Sequence, residues 1–494
     1  MSTDTQSPPP AYSGFDRMPV DGRWRPGKAG SVNTDVNPYT GGRLTEITQA
    51  DATDVDAAYR ASERARGEWA AATASERAEV FVRAAEIMSR RKQEIIDWLV
   101  AEAGAIRSRA EWEWMAVRAV MLEAASYPAH VEGRLLPAAL IEGKENRVYR
   151  QPVGTVAVIS PWNFPMQLSN RSVAPALAVG NAVVLKPAGD TPVTGGLLLA
   201  GIYQEAGLPE GVLNVLVGES GEIGDPLVTD PRSPVVSFTG STEVGRDLAR
   251  KAPLKKLGLE LGGNGPLVVL DDADLEQAVD AAMFGSFFHQ GQVCMATNRV
   301  IAHRDVHNEV AERMRARAEQ LRCGDPSDPG TSIGPVINAR QLDSVLDKLS
   351  RASSEGAKTL CSGEPGGPTG QVLPPHVLTG NNETPTAAEE VFGPVATIVR
   401  AEDEEHALQL ANDTEYGLSS GVFTRNGERG LRFALRVRAG MTHINDTTIN
   451  DEPNTAFGGE KASGIGRFGG EWAIEEFTTD HWVSVQHSRR QRPL

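Results

Sequence analysis

The run "VVSFTGSTEVGRDLA", residues 235–249, decides the fold assignment. Its β-branched start is typical of a buried strand, the turn at Gly240 follows, and the last residues begin a helix. In such an arrangement, backbone N–H groups from Ser241 onward lie at a helix N-terminus, where the helix dipole favours an anion. The run therefore predicts one strand-to-helix unit with a pyrophosphate site, although an ordinary helix cap at Ser241 or Thr242 explains the same residues.

Short apolar runs on both sides of this stretch repeat the pattern. Runs separated by roughly 20 to 30 residues, several of them helix-like, are typical of a parallel sheet that is covered on both faces. We therefore predict an α/β fold with a dinucleotide-binding type of domain. The predicted strands are 153–159, 182–185, 212–217, 234–238 and 266–270.

Further segments predict the remaining organisation of the chain. A helix over 308–321 and strands at 395–400 and 441–445 indicate a second α/β domain that begins near Gly263. Helical spacing of apolar residues predicts amphipathic helices from 51 to about 106. Residues 131–151 are expected to form a protruding hairpin, and the Pro-rich residues 1 to about 15 a mobile tail.

Composition limits the classes of partner. The formal net charge of −16 disfavours nucleic acid and anionic membrane surfaces as partners. The three cysteines (Cys294, Cys323 and Cys361) are an odd number, which favours a reducing compartment over a disulfide framework. The N-terminal residues lack the pattern of a signal or transit peptide, and no apolar run is long enough to cross a membrane. We predict that the protein is cytoplasmic and that it has no metal site.

Three residues have side chains suited to acyl chemistry. Cys294 lies in "GSFFHQGQVCMATNR" (285–299), where an unpaired cysteine is either an inert core residue or a nucleophile. Asn163 in "ISPWNFP" is an amide that is suited to donate to a developing oxyanion. Glu260 in "LELGGNGP" is a carboxylate among apolar residues; it is either a general base with a raised pKa or a structural group bonded to loop amides.

Lys186 suggests a place for the nucleotide. It ends the predicted strand 182–185 just before Pro187, at the edge of the sheet where parallel sheets bind ligands. A snorkelling surface lysine is the alternative. Together, a thiol, an amide, a carboxylate and a nucleotide cradle fit the oxidation of an aldehyde through a thiohemiacetal and a thioester.

These motifs resemble those of the NAD(P)-dependent aldehyde dehydrogenase superfamily over residues of about 30 to 485. They occur in the family's order and approximate spacing: "PWNFP", "LKPAGDTP", "FTGSTEVG", "LELGGN", "GQVC", "EEVFGPV" and "AFGGEKASGIGR". The resemblance implies a Rossmann-like cofactor domain (16–130 and 152–262), a catalytic domain (263–470) and an oligomerisation arm (131–151 and 471–494). It also implies a homodimer or homotetramer.

The same resemblance assigns roles to individual residues. Cys294 corresponds to the nucleophile, Glu260 to the base that activates the deacylating water, and Asn163 to the oxyanion donor. The implied contacts of the cofactor, NAD or NADP with NAD favoured, are Trp162, Lys186, Gly240, Ser241, Glu390 and Phe392.

Two positions depart from the family pattern. Gly189 stands where many members have a carboxylate that binds the ribose and repels a 2′-phosphate, and Asp190 follows it. Ser172, preceded by Arg171, stands where a lysine is often found. Because of the first departure, the sequence does not exclude NADP as the cofactor. Because of the second, no residue of this chain is assigned the role that the lysine has in other members.

The substrate prediction is an aromatic aldehyde. The catalytic loop and the segment 443–470 resemble the benzaldehyde and vanillin dehydrogenase branch, and Phe164, Phe287, Phe288 and Phe457 are predicted to wall a flat apolar pocket. An ordinary core role for these phenylalanines is the alternative. His289 is expected to be a structural histidine with satisfied hydrogen bonds, and a bond to a ring hydroxyl of the substrate is its alternative role. The alternative functions are a succinate- or other aliphatic-semialdehyde dehydrogenase, a cysteine hydrolase or thioesterase, and a non-catalytic protein with this fold.

Overall fold

The structure is a computed structural model that describes residues 11–492. The helices of its N-terminal part cover the first of two large sheets. Two of its helices start where the sequence supplies caps: Asp51 with Asp54 at α1, and Thr73 with Glu76 at α2, each form a reciprocal capping box. The elements of this part are β1 (Met18–Val20), β2 (Arg23–Arg25), β3 (Val32–Val36), β4 (Arg43–Thr48), α1 (Ala52–Ala71), α2 (Ala74–Arg90), α3 (Lys92–Ala103) and α4 (Arg107–Ala124).

The predicted mobile tail is wrong for the part of it that the structure describes. The backbone N–H of Tyr12 donates to Glu94 at 2.6 Å. The ring of Phe15 is buried and packs edge-on against Trp98, with the centroids 5.3 Å apart. Aromatic side chains in a Pro-rich run therefore anchor this segment, because burying each ring offsets the entropy of ordering the chain. Residues 1–10 lie outside the described part.

The first large sheet is parallel except at one edge, and its strands follow the spatial order β19-β11-β10-β7-β8-β9. The chain runs outward from β7 through β8 and β9, then crosses back to β10 and β11. The elements are β7 (Thr155–Ile159), α5 (Pro165–Ala178), β8 (Ala182–Lys186), α6 (Leu198–Glu205), β9 (Leu213–Val215), α7 (Asp225–Thr229), β10 (Val235–Thr239), α8 (Thr242–Lys251), β11 (Lys256–Glu260) and β19 (Gly464–Ile465).

This order creates a topological switch point between β7 and β10. The loops that leave the carboxyl ends of these two neighbouring strands run in opposite directions, so a crevice opens between them. The loop after β7 contains Trp162, and the turn after β10 contains Gly240 and Ser241. The sheet therefore places the predicted cofactor residues at the edge where doubly wound sheets bind nucleotides.

The second large sheet has the order β14-β15-β16-β13-β12-β17-β18, parallel except for β14. Its apolar strands pack under α9 and α10 on one face and under α13 and α14 on the other. The elements are β12 (Gly265–Val269), α9 (Leu275–Phe287), β13 (Thr297–His303), α10 (His307–Ala318), α11 (Ala339–Ser354), β14 (Lys358–Cys361), β15 (His376–Gly380), α12 (Pro385–Ala388), β16 (Val395–Ala401), α13 (Glu404–Asn412), β17 (Ser419–Phe423), α14 (Gly427–Ala434) and β18 (Met441–Ile444).

The hairpin is present as β5 (Arg134–Leu136) and β6 (Lys144–Pro152), which are antiparallel. After the short helix α15 (Gly470–Glu476), strand β20 (Thr478–Gln486) pairs with the whole length of β6. We refer to this three-stranded sheet as the arm. Within residues 11–492, no helix combines the length and the apolar character needed to cross a bilayer.

Candidate active site

The two large sheets meet at a short linker, residues 261–264, between β11 and β12. Glu260 is the last residue of β11, and Cys294 lies in the loop just before β13. A Cβ at Gly263 would overlap the carbonyl oxygen of Cys294, and one at Gly262 would come within 2.6 Å of Glu390 Oε2. The backbone contact at Gly263 requires a glycine, and it brings the carboxyl edge of the first sheet against the Cys294 loop.

The loop that carries Cys294 is held in an unusual conformation. His289, Gln290 and Gly291 have φ values of 50°, 56° and 69°, so three consecutive residues are left-handed. Non-glycine residues in this region cost about 1–3 kcal/mol each and persist only where their surroundings fix them. The amide of Gln290 donates to the carbonyl oxygens of Gly104 and Pro335 at 3.3 and 2.8 Å, which fixes this turn.

Asn163 lies beside the Cys294 loop. Its Nδ2 donates to the carbonyl oxygen of Gln292 at 2.9 Å, and the residue lines the same pocket as Cys294. One of its two N–H donors is therefore used by the protein, and the second is left for another acceptor.

A buried ion pair fixes the backbone around Asn163. Arg109 pairs with Glu113 inside the protein and donates to the carbonyl oxygen of Asn163. Glu113 accepts the N–H groups of Met166 and Gln167 at the start of α5. The buried ion pair thus fixes the carbonyl group of Asn163 and the helix start that follows it, which positions the amide.

Glu260 is buried and has one oxygen engaged and one free. Its Oε2 accepts from Arg171 Nη1 at 2.8 Å and from Thr239 Oγ1 at 3.4 Å. Its Oε1 is buried without a hydrogen-bond partner among residues 11–492. Burial raises the pKa of Glu260 above the ordinary range of a carboxylic acid, while the ion pair with Arg171 opposes this rise.

The Cys294 thiol is protonated in this environment. Burial raises the pKa of Cys294 to about 12, and the negative charge of Glu260 adds to the rise, whereas Arg171 acts in the opposite direction. The thiol must therefore lose its proton when it reacts, and Glu260 is the carboxylate whose charge acts on it most strongly.

A continuous groove runs from the thiol to the switch point. One pocket contains Cys294, Asn163 and Glu390, and a second contains Lys186 and Glu219. Both pockets include Pro161, Trp162, Thr239, Gly240, Ser241 and Gln341. The shared residues make the two pockets parts of one elongated groove, which is the shape that a dinucleotide requires.

Polar and aromatic groups along the groove suit the parts of a dinucleotide. The Lys186 ammonium is buried and has no hydrogen bond or ion pair within residues 11–492. The Ser241 side chain caps α8 by accepting a hydrogen bond from the N–H of Val244 at 3.3 Å. Ser241 also lines the groove, so this residue is both a helix cap and a groove residue. Trp162 and Phe392 meet edge to face with their centroids 5.4 Å apart.

Glu390 lies near the thiol end of the groove. Its Oε1 accepts the N–H of Gly263 at 2.9 Å, and burial raises its pKa to about 7. Glu390 therefore connects the groove to the linker between the sheets.

Comparison with known proteins settles the family. The model of the aldehyde dehydrogenase family matches residues 24–483. The chain belongs to the aldehyde dehydrogenase family. It is 48% identical to a vanillin dehydrogenase of Corynebacterium glutamicum, over 97% of this chain and 99% of that protein. It is 46% identical to a benzaldehyde dehydrogenase of Bacillus subtilis, over 98% and 99% of the two chains.

A solved structure agrees with this assignment. The crystal structure of an NAD-dependent benzaldehyde dehydrogenase from Corynebacterium glutamicum superimposes with a TM-score of 0.89 at 45% identity, covering 96% of this chain and 97% of that one. The predicted family, the α/β fold and the class of NAD(P)-dependent enzyme are confirmed. The relatives also carry the names of the branch that the sequence resembled.

In this aldehyde dehydrogenase, three of the four predicted pocket phenylalanines gather beside Cys294. Phe164, Phe288 and Phe457 belong to one apolar cluster that includes the thiol residue. Phe457 also borders a small pocket with Arg171 and Asp451.

The prediction for Phe287 is wrong. Phe287 is the last residue of α9, and its ring packs into the core of the second sheet with Leu267 and Val300. The chain leaves the helix at Phe288, which has φ −56° and ψ 131°, so the two rings enter different apolar clusters.

Sequence reasoning missed two parts of the site. Trp112 on α4 meets Phe164 and Phe288 edge to face at 5.6 and 6.1 Å, but its own sequence, "EWEWM", is that of an ordinary amphipathic helix. The link between Arg171 and Asp451 joins residues 280 positions apart. Arg171 precedes the position that departs from the family pattern, but no local pattern identifies Asp451 as its partner.

His289 is wholly buried and meets Phe164 edge to face at 5.3 Å. Burial lowers the pKa of His289 well below its ordinary value, so the ring is neutral at physiological pH. Both ring nitrogens are buried without a hydrogen-bond partner among residues 11–492, so the expectation of a histidine with satisfied hydrogen bonds is wrong.

The raised pKa of Cys294 predicts the pH dependence of alkylation in the enzyme without cofactor. Because only the thiolate reacts, the rate of carbamidomethylation by iodoacetamide should rise about tenfold per pH unit up to pH 10, without a plateau. Mass spectrometry of the peptide that contains Cys294 measures this rate, and Cys323 in the same samples serves as an internal reference. A plateau near pH 8 for Cys294 would contradict the structure.

Proposed function

We propose that this aldehyde dehydrogenase oxidises an aromatic aldehyde of the benzaldehyde or vanillin type to its acid, with Cys294 as nucleophile, Asn163 as oxyanion donor and Glu260 as general base. The observation that carries the proposal is the aromatic cluster of Phe164, Phe288 and Phe457 around Cys294. Flat apolar walls favour a ring over a flexible chain.

The charges of the site also favour an uncharged substrate. An acidic semialdehyde needs a cation to bind its carboxylate. Near the aromatic cluster, the guanidinium of Arg109 is paired with Glu113, and that of Arg171 with Glu260 and Asp451. Both cations are already neutralised by the protein, which argues against a succinate-semialdehyde dehydrogenase.

The first half of the reaction follows from the placement of the thiol and the amide. As the Cys294 sulfur forms a bond to the carbonyl carbon, its S–H proton passes to a water molecule in the groove, and the electron pair of the C=O bond moves to the oxygen. The free N–H of Asn163 and the backbone N–H of Cys294 stabilise the negative oxygen. When bound, the nicotinamide supplies the acceptor for the hydride, which leaves the same carbon with two electrons as the C=O bond re-forms.

The second half is hydrolysis of the thioester. The free Oε1 of Glu260 takes a proton from water, and the water oxygen bonds to the acyl carbon. The C–S bond then breaks, the acid is released, and the sulfur takes up the proton that Glu260 accepted, which leaves the carboxylate ionised for the next turnover. A raised pKa suits Glu260 to this exchange because the carboxylate is a stronger base than one in water.

The groove residues are proposed to hold the cofactor in a fixed order. Lys186 binds the adenosine ribose, Gly240 and Ser241 at the start of α8 receive the pyrophosphate, and Glu390 binds the nicotinamide ribose. Trp162 and Phe392 pack along the nicotinamide end.

NAD is proposed as the preferred cofactor. Gly189 offers no carboxylate to the ribose, and Asp190 is engaged by Asn338 at 3.0 Å. Glu219 lines the groove near Lys186, where its charge partly opposes the lowering of the Lys186 pKa by burial. A carboxylate at this place repels a 2′-phosphate, as the family's usual acid does from position 189.

The arm is proposed to join copies of the chain into a homodimer or homotetramer. Leu135, Leu140 and Trp482 on the arm are 74%, 95% and 63% exposed, and large apolar groups concentrated in one small sheet are typical of an interface. The cofactor domain (16–130 and 152–262) and the catalytic domain (263–470) are proposed to meet at the linker 261–264. The free cysteines among the described residues support a cytoplasmic location.

The roles of Cys294 and Glu260 predict different kinetic defects. Cys294→Ala should lower aldehyde oxidation by more than about a thousandfold while leaving NAD binding intact, because the bond to carbon is never made. Glu260→Gln should retain a first-turnover burst of NADH but lower the steady-state rate at least about a hundredfold, because only deacylation needs the base. Stopped-flow absorbance with benzaldehyde separates the two phases.

Oxidation of aldehyde by Cys294→Ala at the wild-type rate would overturn the proposed nucleophile. Full steady-state turnover by Glu260→Gln would overturn the proposed base.

The aromatic walls predict the substrate preference. The kcat/KM values for benzaldehyde and vanillin should exceed those for succinic semialdehyde and short aliphatic aldehydes by at least about tenfold, since the ring gains contacts that a chain does not. Initial rates of NADH formation across the panel measure this preference. A higher value for succinic semialdehyde would contradict the proposed substrate class.

Glu219 is predicted to control the cofactor preference. Glu219→Gln should raise the ratio of kcat/KM for NADP to that for NAD by about tenfold, equivalent to about 1.4 kcal/mol, because the repulsive charge is removed. Glu222→Gln is the matched control, since Glu222 is an exposed acid of the same turn that does not line the groove. Equal ratios for the two variants would contradict the role of Glu219.

A further inference from the structure

The side chain of Arg171 connects the proposed base to the substrate wall. On one side, its Nη1 donates to Glu260 Oε2 at 2.8 Å, and on the other, its Nη2 donates to Asp451. The face of the guanidinium lies 3.8 Å from the ring centroid of Phe457. All three charged side chains are buried by nine-tenths or more.

Asp451 is itself fixed in place. Its Oδ2 accepts from Gln167 Nε2 at 3.1 Å as well as from Arg171. Gln167 and Arg171 are four residues apart on α5, so they lie on one face of that helix. Helix α5 therefore presents two donors to Asp451, and the guanidinium has little freedom to rotate away from Glu260.

The contacts divide the two oxygens of Glu260 between different tasks. Oε2 is engaged by Arg171 and Thr239, whereas Oε1 is buried and free. A carboxylate with one oxygen fixed by a charged hydrogen bond has a defined orientation, and its other lone pairs are available to a water molecule.

We propose that Arg171 is a positioning residue for deacylation: it is held by Asp451 and by the ring of Phe457, and it orients Glu260 so that Oε1 receives the proton of the attacking water. The inference rests on the role proposed above for Glu260 and adds to it. Ser172 takes no part in this contact, because its hydroxyl bonds the Ser237 hydroxyl at 2.8 Å.

The same geometry sets the protonation of the base. The titratable groups that face Glu260 are Arg171 on α5, Asp451 in the loop after β18 and the neutral thiol of Cys294 before β13. Arg171 lowers the pKa of Glu260, and Asp451 raises it. Removing either charge must therefore move the pH profile of deacylation, and the two variants must move it in opposite directions.

The test follows single turnovers with enzyme in excess over benzaldehyde and with saturating NAD. NADH absorbance measures hydride transfer, and intact-mass analysis of quenched samples measures the decay of the acyl-enzyme. The decay needs ionised Glu260, so its rate rises with pH through the pKa of that group. Arg171→Gln should shift the midpoint upward by about one to three pH units, and Asp451→Asn should shift it downward.

A double-mutant comparison shows whether Arg171 acts through Glu260. In the Glu260→Gln background, adding Arg171→Gln should cause no further slowing of acyl decay, because the group that Arg171 positions is already lost. Arg171→Lys should restore the midpoint of the profile toward that of the wild type, because it retains the positive charge. Arg313→Gln, which removes an exposed guanidinium paired with Glu276 and Glu309, is the charge-matched control and should shift nothing.

The outcomes distinguish a failure of the role proposed for Glu260 from a failure of the positioning role proposed for Arg171. Unchanged acyl decay in Glu260→Gln would overturn the proposed base, whatever Arg171 does. If decay is slow in Glu260→Gln, the proposed base stands. The positioning role would then be overturned if Arg171→Gln slowed decay by the same factor in the wild-type and Glu260→Gln enzymes. It would also be overturned if Arg171→Gln and Asp451→Asn shifted the pH profile in the same direction.

Discussion

The active site depends on the close approach of the linker 261–264 to the Cys294 loop. A side chain at Gly263 would overlap the Cys294 carbonyl oxygen, and one at Gly262 would reach Glu390. Because these two residues have no Cβ, the carboxyl edge of one sheet meets the loop before β13 of the other sheet. Without that approach, Glu260 and the thiol would belong to two separate domains and would not act on one carbon atom.

Burial of charge is the second constraint on this site. Glu260, Arg171 and Asp451 form a row of alternating negative, positive and negative groups inside the protein. An isolated buried carboxylate would be strongly destabilised, whereas a row of paired charges with hydrogen bonds reduces that cost. Burial makes Glu260 a stronger base than a carboxylate in water, next to a thiol that burial keeps protonated.

Much of this site was predictable from local sequence. The strand end at Lys186 follows from an apolar run that stops at a charged residue, and the turn at Gly240 follows from its own residues. Strand β11, which ends at Glu260, was not among the predicted strands, because its short segment has no continuous apolar run. Motifs of this kind are short, so a single sequence contains all the information that they need. The family resemblance then assigned the residues to one reaction.

The parts that were missed or wrong depend on contacts between distant segments. The pair of Arg171 with Asp451 and the packing of Trp112 on Phe164 and Phe288 join residues from different elements, which no local pattern reports. The pocket role predicted for Phe287 was wrong because the sequence did not show that α9 ends at this residue. Of the two adjacent phenylalanines, only Phe288 packs beside the thiol. Composition predicted a mobile N-terminal tail, but the buried ring of Phe15 anchors the part of it that the structure describes.

The central claim is that one sulfur atom carries the acyl group while a separate carboxylate removes it. The most direct measurement is peptide mapping by mass spectrometry after Glu260→Gln enzyme has been mixed with benzaldehyde and NAD and quenched with acid. The account predicts a benzoyl group on the peptide that contains Cys294, in an amount close to one per active site. A benzoyl group on Cys323 or Cys361, or none on any peptide despite NADH formation, would contradict it.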